Sequence, residues 1–159
     1  MSNKPTYEEL ERRLQDLERE VARHRSTEGE LRRAEERYRR FFEDDLTGDF
    51  LTDADGIILD CNPAFLRIFG YEDKSEVLGQ SITALYPDPS ERASILRELF
   101  AKGMLEGYET TRKRKDGSLV TIDENVVATF DQEGKLVEVK SYIYDVTAQK
   151  RSTEAWHRS

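Results

Sequence analysis

The stretch Gly56-Ile-Ile-Leu-Asp-Cys-Asn-Pro-Ala-Phe-Leu-Arg-Ile-Phe-Gly70 predicts a strand, a capped turn and a short helix in quick succession. Its first apolar residues, 57–59, are too few for a helix and include β-branched side chains, so they favour a strand. Asn62 can cap a helix with its side-chain oxygen, Pro63 suits the first helical position, and Gly70 can end the helix. The stretch contains no metal-ligand set or phosphate loop. It therefore predicts a strand-to-helix element of a small domain rather than a catalytic centre.

Composition and charge limit the classes of protein that the chain can represent. Its 159 residues allow one domain of ordinary size with flanking segments. A net charge of −8 argues against nucleic-acid binding, which depends on basic surfaces that release counterions. The single cysteine, Cys61, excludes an internal disulfide. No apolar run approaches the roughly 20 residues that span a bilayer, and no signal core is present, so we expect a cytoplasmic protein.

Residues 1–40 are predicted to form a helical arm. Between residues 5 and 25 the apolar positions alternate in steps of three and four, which is typical of a coiled-coil seam. So narrow an apolar stripe is not stable alone at this length, and a second copy of the chain is the simplest partner. The alternative is a single helix lying on its own domain. Gly29 should weaken the helix between Ser26 and Gly29. The predicted dimer seam consists of Tyr7, Leu10, Leu14, Leu17 and Val21.

The rest of the chain predicts an α+β domain in which two strands, several short helices and three further strands follow one another. Tight turns at Asp116-Gly117 and Asp131–Gly134 require the last three strands to be antiparallel. In the segment before the longest helix of this part, Asp88 is predicted as the cap and Glu91 as its capping-box partner. The predicted strands cover about 49–53, 56–61, 105–114, 118–130 and 135–146, and the predicted helix after the second strand covers 63–70.

Five motifs follow one another along this part of the chain: Thr52-Asp-Ala-Asp-Gly56, Asn62-Pro-Ala-Phe65 with Phe69-Gly-Tyr71, Leu78-Gly79, Arg114-Lys-Asp-Gly-Ser118 and Asp145-Val-Thr147. In this order they resemble the PAS sensor family, over about Phe41 to Lys150. The resemblance implies a five-stranded antiparallel sheet in the order 2-1-5-4-3, with helices on one face that enclose a small apolar cavity. It places the PAS domain at 41–147 and the start of a C-terminal signalling helix at 148–159.

The resemblance also implies a function. PAS domains of this kind are non-catalytic sensory and dimerisation modules of bacterial signal-transduction proteins, and they relay a change induced by a ligand or partner through flanking helices. The output domain, such as a histidine kinase, is absent from this chain. Asp145 and Thr147 would form the signal-exit motif, either as a polar latch or as a plain helix cap. The alternative function is a ligand-free dimerisation or docking module. An enzyme is disfavoured, because no catalytic constellation is present.

The resemblance implies no cofactor for this chain. Haem-binding relatives use a histidine within the domain, whereas His24 and His157 fall outside it. Photosensory relatives hold flavin through a cysteine, and Ile82 occupies that position here. The asparagines that hold the flavin ring would fall at Arg112 and Ile122, so neither matches. A redox-type flavin site without the cysteine stays open, as does an unidentified small molecule.

Arg112 and Glu124 stand where the family usually has apolar residues. Strand alternation turns Glu124 toward the cavity, and the Asp116-Gly117 turn predicts Arg112 opposite Ile122 and Thr110 opposite Glu124. Arg112 and Glu124 then form either a structural ion pair or a polar rim that accepts an anionic ligand group. The predicted pocket residues are Tyr108, Thr110, Arg112, Ile122, Glu124, Val126, Ser141, Ile143, Phe65, Phe69, Ile82, Leu96 and Leu99.

Overall fold

The computed structural model describes residues 4–158 and divides after Phe41 into two compact units. The outermost parts of the predicted arm and tail, residues 1–3 and 159, lie outside the described residues. Helix α1 (Tyr7–Asp44) accounts for nearly all of the first unit. It begins with a reciprocal capping box, in which the Thr6 N–H donates to Glu9 Oε2 and the Glu9 N–H donates to Thr6 Oγ1, both at 3.2 Å.

Helix α1 continues without interruption through Gly29, so the predicted weakening between Ser26 and Gly29 produces no break in the helix. A single glycine costs only about 1 kcal/mol against alanine, and the flanking residues are good helix formers. All five seam residues are exposed, with relative exposures from 47% at Val21 to 77% at Tyr7. Dimerisation through this seam stays a prediction.

The second unit contains one antiparallel sheet whose five strands, numbered along the chain, lie in the order 2-1-5-4-3, which confirms the predicted topology. Two α-helices and two short 3₁₀ helices lie between the second and third strands, and α4 (Thr147–Arg158) follows the last strand. The remaining elements are β1 (Gly48–Asp53), β2 (Ile58–Cys61), α2 (Pro63–Phe69), the 3₁₀ turns Lys74–Glu76 and Ile82–Leu85, α3 (Glu91–Lys102), β3 (Met104–Lys113), β4 (Leu119–Phe130) and β5 (Leu136–Asp145).

The segment Asn62–Gly70, here called the α2 wall, folds as its sequence predicts. The Asn62 side-chain oxygen accepts from the Phe65 N–H at 3.0 Å, and Gly70 ends the helix with a left-handed φ of 79°. The same oxygen accepts from the Asp49 N–H at 2.9 Å, and the Asn62 amide donates to the Thr47 carbonyl. One buried side chain therefore caps the helix and joins it to β1.

Aromatic packing fixes the α2 wall against the sheet. The fully buried ring of Phe65 lies 5.0 Å from that of Phe50 and 4.8 Å from that of Phe69, centroid to centroid. Both spacings are favourable for tilted aromatic pairs. The core extends from here to α3 and to the inner faces of β4 and β5, through Ile95, Leu99, Val120, Ile122, Val126, Val139 and Ile143.

The start of α3 differs from the prediction. Ser90, not Asp88, directly precedes the helix, and its side chain makes no capping hydrogen bond. Asp88 Oδ1 instead accepts from the Ser90 N–H at 3.0 Å and from the Ser90 hydroxyl at 2.7 Å. Glu91 does not complete a capping box, because its carboxylate binds a buried arginine of β3. A direct charge partner is a stronger attraction for a carboxylate than a single backbone N–H.

No helix within residues 4–158 is both long enough and apolar enough to cross a membrane.

Candidate functional site

Strand β3 directs three polar side chains to the inside of the domain: Tyr108, Thr110 and Arg112. Strand alternation predicts that they share a face, and the structure brings all three onto one acceptor. That acceptor is Glu91, the first residue of α3. Its Oε1 accepts from the Tyr108 hydroxyl and from the Thr110 hydroxyl (2.6 Å), and its Oε2 accepts from Arg112 Nη1 (2.7 Å).

The pairing of β3 with β4 differs from the predicted register. Both predicted pairs are wrong by the same two positions: Arg112 lies opposite Val120, and Thr110 lies opposite Ile122. The reason is the turn, which spans 114–118 and joins its first N–H to its last carbonyl at 2.8 Å. The register predicted from the sequence places the centre of this turn one residue too late along the chain.

Arg112 nevertheless reaches Glu124, because its long side chain runs along the inner face. Arg112 Nη2 lies 3.4 Å from Glu124 Oε2, and the guanidinium carbon lies 3.9 Å from the centre of the Tyr86 ring. Such stacking suits a guanidinium, which is planar and weakly hydrated. The side chains of Arg112 and Glu124 are 3% and 6% exposed, so this ion pair is inside the domain. Glu91, Tyr108, Thr110, Arg112 and Glu124 are called the carboxylate cluster below.

Burial and the single cation set the protonation of the two carboxylates. Burial would raise the pKa of Glu91, but hydrogen bonds from Thr110 and Tyr108 and the charge of Arg112 outweigh it, so this pKa is lowered. Burial raises the pKa of Glu124, and Arg112 and a hydrogen bond from Ser141 oppose this only in part. Burial also raises the pKa of Tyr86 to about 12. Glu91 is therefore the carboxylate that holds its negative charge more firmly.

A small cavity of about 20 Å³ lies beside the cluster. This volume holds about one water molecule. The predicted pocket residues that line it are Ile82, Leu96, Leu99, Glu124, Val126 and Ser141. Residues that the sequence analysis missed also line it, namely Phe50, Thr52, Tyr86, Arg92, Ile95 and Val139.

The other predicted pocket residues have different places. Ile122, Ile143, Phe65 and Phe69 are buried in the core without lining the cavity. Tyr108, Thr110 and Arg112 form the cluster at its side. The most important residue that sequence reasoning missed is Glu91, whose position three residues after an aspartate matched a capping box. The sequence did contain a signal for it. Among the predicted pocket residues, Arg112 had one possible carboxylate partner, Glu124, and their pairing depended on the predicted strand register.

The chain can now be compared with known proteins. Residues 47–148 match the family model of the PAS domain. The chain belongs to the PAS family. The sensor histidine kinase TmoS of Ectopseudomonas mendocina is 30% identical over 128 residues, which cover 78% of this chain but only 13% of the kinase. This chain thus spans a small fraction of that relative.

Two solved PAS structures are similar to this one. A PAS domain from Colwellia psychrerythraea has a TM-score of 0.62 at 23% identity, with 71% of this chain and 97% of that chain covered. A PAS domain of a LuxR-family transcriptional regulator from Burkholderia thailandensis, solved in complex with ethanol, has a TM-score of 0.59 at 25% identity. That match covers 69% of this chain and 96% of the other.

The predicted signal-exit motif lies at the junction of β5 and α4, where a second set of polar side chains interacts. Asp145 Oδ1 accepts from the Thr147 N–H at 2.9 Å, which is a helix cap. The Thr147 hydroxyl oxygen accepts from the Thr121 N–H at 2.9 Å, and this hydroxyl lies 3.3 Å from the Thr121 carbonyl. Both readings of the exit motif, cap and latch, therefore have contacts that support them.

Arg114 connects this exit to the α2 wall. Its Nε donates to the Ile68 carbonyl at 3.1 Å, and its Nη2 lies 3.6 Å from Asp145 Oδ2. The next residue reinforces the contact, since the Lys115 N–H donates to the Phe69 carbonyl at 2.9 Å. One arginine of the β3–β4 turn thus touches both the end of α2 and the start of the exit motif.

Cys61 is buried in the core, and burial raises the pKa of its thiol to about 11. A thiol with so high a pKa is a weak nucleophile at neutral pH, because the thiolate is the reactive form. Within residues 4–158 no group of three or more histidine, cysteine, aspartate or glutamate residues is arranged to hold a metal ion.

Proposed function

We propose that this PAS domain is the sensory module of a bacterial signal-transduction protein and relays a change in its pocket through α4 to an output domain. The observation that carries the proposal is the double contact of Arg114 with the α2 wall and with Asp145. The kinship with a sensor histidine kinase supports an output of that class.

The relay can be followed along the chain. A displacement of α2 or of the β3–β4 turn moves the Arg114 guanidinium, which is half of an ion pair with Asp145. Asp145 caps α4 through Thr147, and Thr147 also binds the backbone of Thr121 in β4. The start of α4 is therefore held by β4 and β5, which are two of the elements that line the cavity. A change at the pocket can therefore shift the equilibrium between two conformations of the first turn of α4, and such a shift is what a relay requires.

The relay is tested in the full-length parent protein by Asp145→Ala. We expect the output activity to lose its response to the stimulus, while the domain stays folded with a melting temperature close to that of the wild type. Glu133→Ala is the matched control, since Glu133 is an exposed acid in the β4–β5 turn, at the opposite end of β5 from Asp145. An unchanged response in Asp145→Ala would refute the latch and leave Asp145 as a plain helix cap.

We also propose that two copies pair through the seam of α1. The seam residues are exposed along a single helix, and an apolar stripe of this width is stabilised by a second helix. Leu14→Asp should lower the mass measured by analytical ultracentrifugation from dimer to monomer. Arg13→Asp, on the same helix but off the seam, should leave the mass unchanged. A monomeric wild type would refute this part of the proposal.

The domain is further proposed to lack catalysis of its own and to hold neither haem nor flavin. His24 lies in α1 and His157 in α4, neither is among the residues that line the cavity, and Ile82 occupies the position of the flavin-reactive cysteine. An absorption spectrum of the purified chain between about 350 and about 500 nm tests this, because haem and flavin both absorb there. A cofactor band that co-purifies with the folded chain and is released from it on denaturation would contradict it.

A ligand-free docking module is the second candidate, and the cavity volume favours it. About 20 Å³ is far below the roughly 300 Å³ of a typical ligand pocket. A sensor with this cavity must either open or bind a very small molecule, and the ethanol complex of a relative supports the second route. Native mass spectrometry of the intact chain separates the candidates. A mass that never exceeds that of the polypeptide, with any metabolite tested, favours docking.

A further inference from the structure

The carboxylate of Glu91 occupies a complete receptor site. One of its oxygens accepts two hydroxyl hydrogen bonds, from Tyr108 and Thr110, and the other accepts from Arg112. All three donors come from the inner face of a single strand, so they hold their geometry without Glu91. An arginine with flanking hydroxyls is the donor set that proteins use for carboxylates.

The occupant of this site is held less firmly than the site itself. The side chain of Glu91 is 19% exposed, against 3% for Arg112. Glu91 is the first residue of α3, the four residues before it are exposed, and Ser90 does not cap the helix with its side chain. A rotation of the first turn can therefore withdraw Glu91 to solvent, whereas withdrawal of Arg112 would require β3 to move.

Charge decides what can replace Glu91. Arg112 is buried between Glu91 and Glu124, and its distance to Glu124 is the longer one, 3.4 Å against 2.7 Å. A neutral molecule in place of Glu91 would leave the guanidinium with Glu124 as its only negatively charged partner among the described residues, at a large cost in a buried site. A carboxylate restores the same charge and the same three hydrogen bonds. Arg92, which lines the cavity, adds a second cation.

We propose that this pocket binds a short-chain carboxylate, whose carboxylate group takes the position of the Glu91 carboxylate, and that Glu91 is a tethered competitor for the site. The proposal rests on the sensory role proposed above and gives it a ligand class. The ligand must be small, because the space available is that of the Glu91 side chain and the adjoining cavity of about 20 Å³. Displacement of Glu91 would free the first turn of α3 and supply the change that the relay transmits.

A tethered competitor has a measurable consequence. A group attached to the same chain competes at an effective concentration in the millimolar range or above. The affinity of the wild type for a free carboxylate is reduced by the fraction of time that the site is open. Removal of the competitor should therefore strengthen binding by at least about tenfold.

The test is chemical rescue of Glu91→Ala in the full 159-residue chain. This substitution deletes the atoms of acetate from the site. We expect sodium acetate to raise the melting temperature of Glu91→Ala well above the rise in wild type, and calorimetry to give a dissociation constant at least about tenfold lower than that of wild type. Acetamide, which has the same shape but no charge, and sodium chloride at equal ionic strength should have little effect.

Three variants control the experiment. Glu98→Ala removes an exposed acid from the same helix and should respond to acetate no more than the wild type does. Glu91→Gln removes the charge but keeps the site filled, so it should respond less than Glu91→Ala. Addition of Arg112→Met to Glu91→Ala should abolish the response.

Equal responses of Glu91→Ala and Glu98→Ala to acetate would overturn the proposal, and so would equal responses to acetate and acetamide. If Glu91→Ala does not fold without acetate, its refolding is followed by circular dichroism. Refolding with acetate but not with acetamide would support the proposal, and equal refolding with both would overturn it. A wild type that binds acetate as tightly as Glu91→Ala would refute the competitor role. These outcomes leave the relay untouched, since Asp145→Ala tests the relay independently of any ligand.

Discussion

The α2 wall and the carboxylate cluster lie in the same domain and are built on different kinds of contact. In the wall, the buried polar residue Asn62 bonds to backbone groups of Thr47, Asp49 and Phe65. In the cluster, the carboxylate of Glu91 bonds only to side chains, which come from another element of the fold.

The difference separates a structural region from an adaptable one. Backbone partners are fixed by the fold, so Asn62 cannot change its bonds without unfolding the joint between β1 and α2. Side-chain partners can be exchanged for an external group that has the same charge and shape. The wall therefore sets stability, and the cluster has the property that a sensor needs.

The largest expected effect is on the wall side. Phe65→Ala should lower the free energy of unfolding by about 4 kcal/mol, because Phe65 is fully buried between two other aromatic rings. Urea unfolding followed by circular dichroism measures this. Leu59→Ala, at a half-exposed position of β2, should cost less than about 1 kcal/mol. Equal losses in the two variants would mean that the wall is not the packed region described above.

A slightly smaller loss is expected from the cluster. Arg112→Met should cost about 3 kcal/mol, because it leaves Glu124 buried without its charge partner. The double variant Arg112→Met with Glu124→Gln should lose less than the sum of the two single variants, since the neutral amide needs no cation. Strict additivity in urea unfolding would show that the two charges do not interact.

Protonation distinguishes the two regions further, through Asp49 beside the wall. Burial, followed by a hydrogen bond with Asp45, raises the pKa of Asp49 to about 7, whereas the pKa of Asp45 is lowered. The folded state thus keeps a proton that the unfolded chain loses near its ordinary pKa of 3.8. The resulting stability is complete below that value and is lost as the pH rises through about 7.

Asp49→Asn removes this titration while keeping a similar shape. Between about pH 5 and about pH 8 the wild type should lose about 2 kcal/mol more of its unfolding free energy than Asp49→Asn does. Urea titrations at several pH values measure this difference. Glu124 shifts stability in the same direction in both proteins, so it cancels in the comparison. Parallel pH profiles would contradict the raised pKa of Asp49.

The smallest effect is expected at the exit joint, which links both regions to α4. Thr147→Ala should cost about 1 kcal/mol, because it removes the hydroxyl that accepts from the Thr121 N–H. Thr153→Ala, at an exposed position of the same helix, should change stability by less than about 0.5 kcal/mol. If Thr147→Ala lowers the free energy of unfolding no more than Thr153→Ala does, the contact between Thr147 and Thr121 does not stabilise the exit joint.

The sequence predicted the wall better than the cluster for a physical reason. The signals for α2, from Asn62 to Gly70, act within one helical turn of their targets, so they can be read locally. The cluster joins residues 91, 108, 110, 112 and 124, and its geometry depends on a hairpin register and on the position of α3. A turn misplaced by one residue moved the predicted pairs by two positions.

Glu91 was missed because two interactions compete for it. Its spacing from Asp88 satisfies a capping box, which is a local pattern. The charge partner that wins, Arg112, is 21 residues away along the chain. Arg112 and Glu124 were predicted to interact inside the domain, because charges on the inner face of a strand demand partners.

A double-mutant cycle between Glu91 and Arg112 tests the central claim most directly. The unfolding free energies of wild type, Glu91→Gln, Arg112→Met and the double variant give the coupling between the two side chains. Because the Glu91 carboxylate accepts a hydrogen bond from the buried Arg112 guanidinium, we predict a coupling free energy of about 2 kcal/mol. A coupling below about 0.5 kcal/mol would mean that Glu91 faces solvent or caps α3, and would contradict the account.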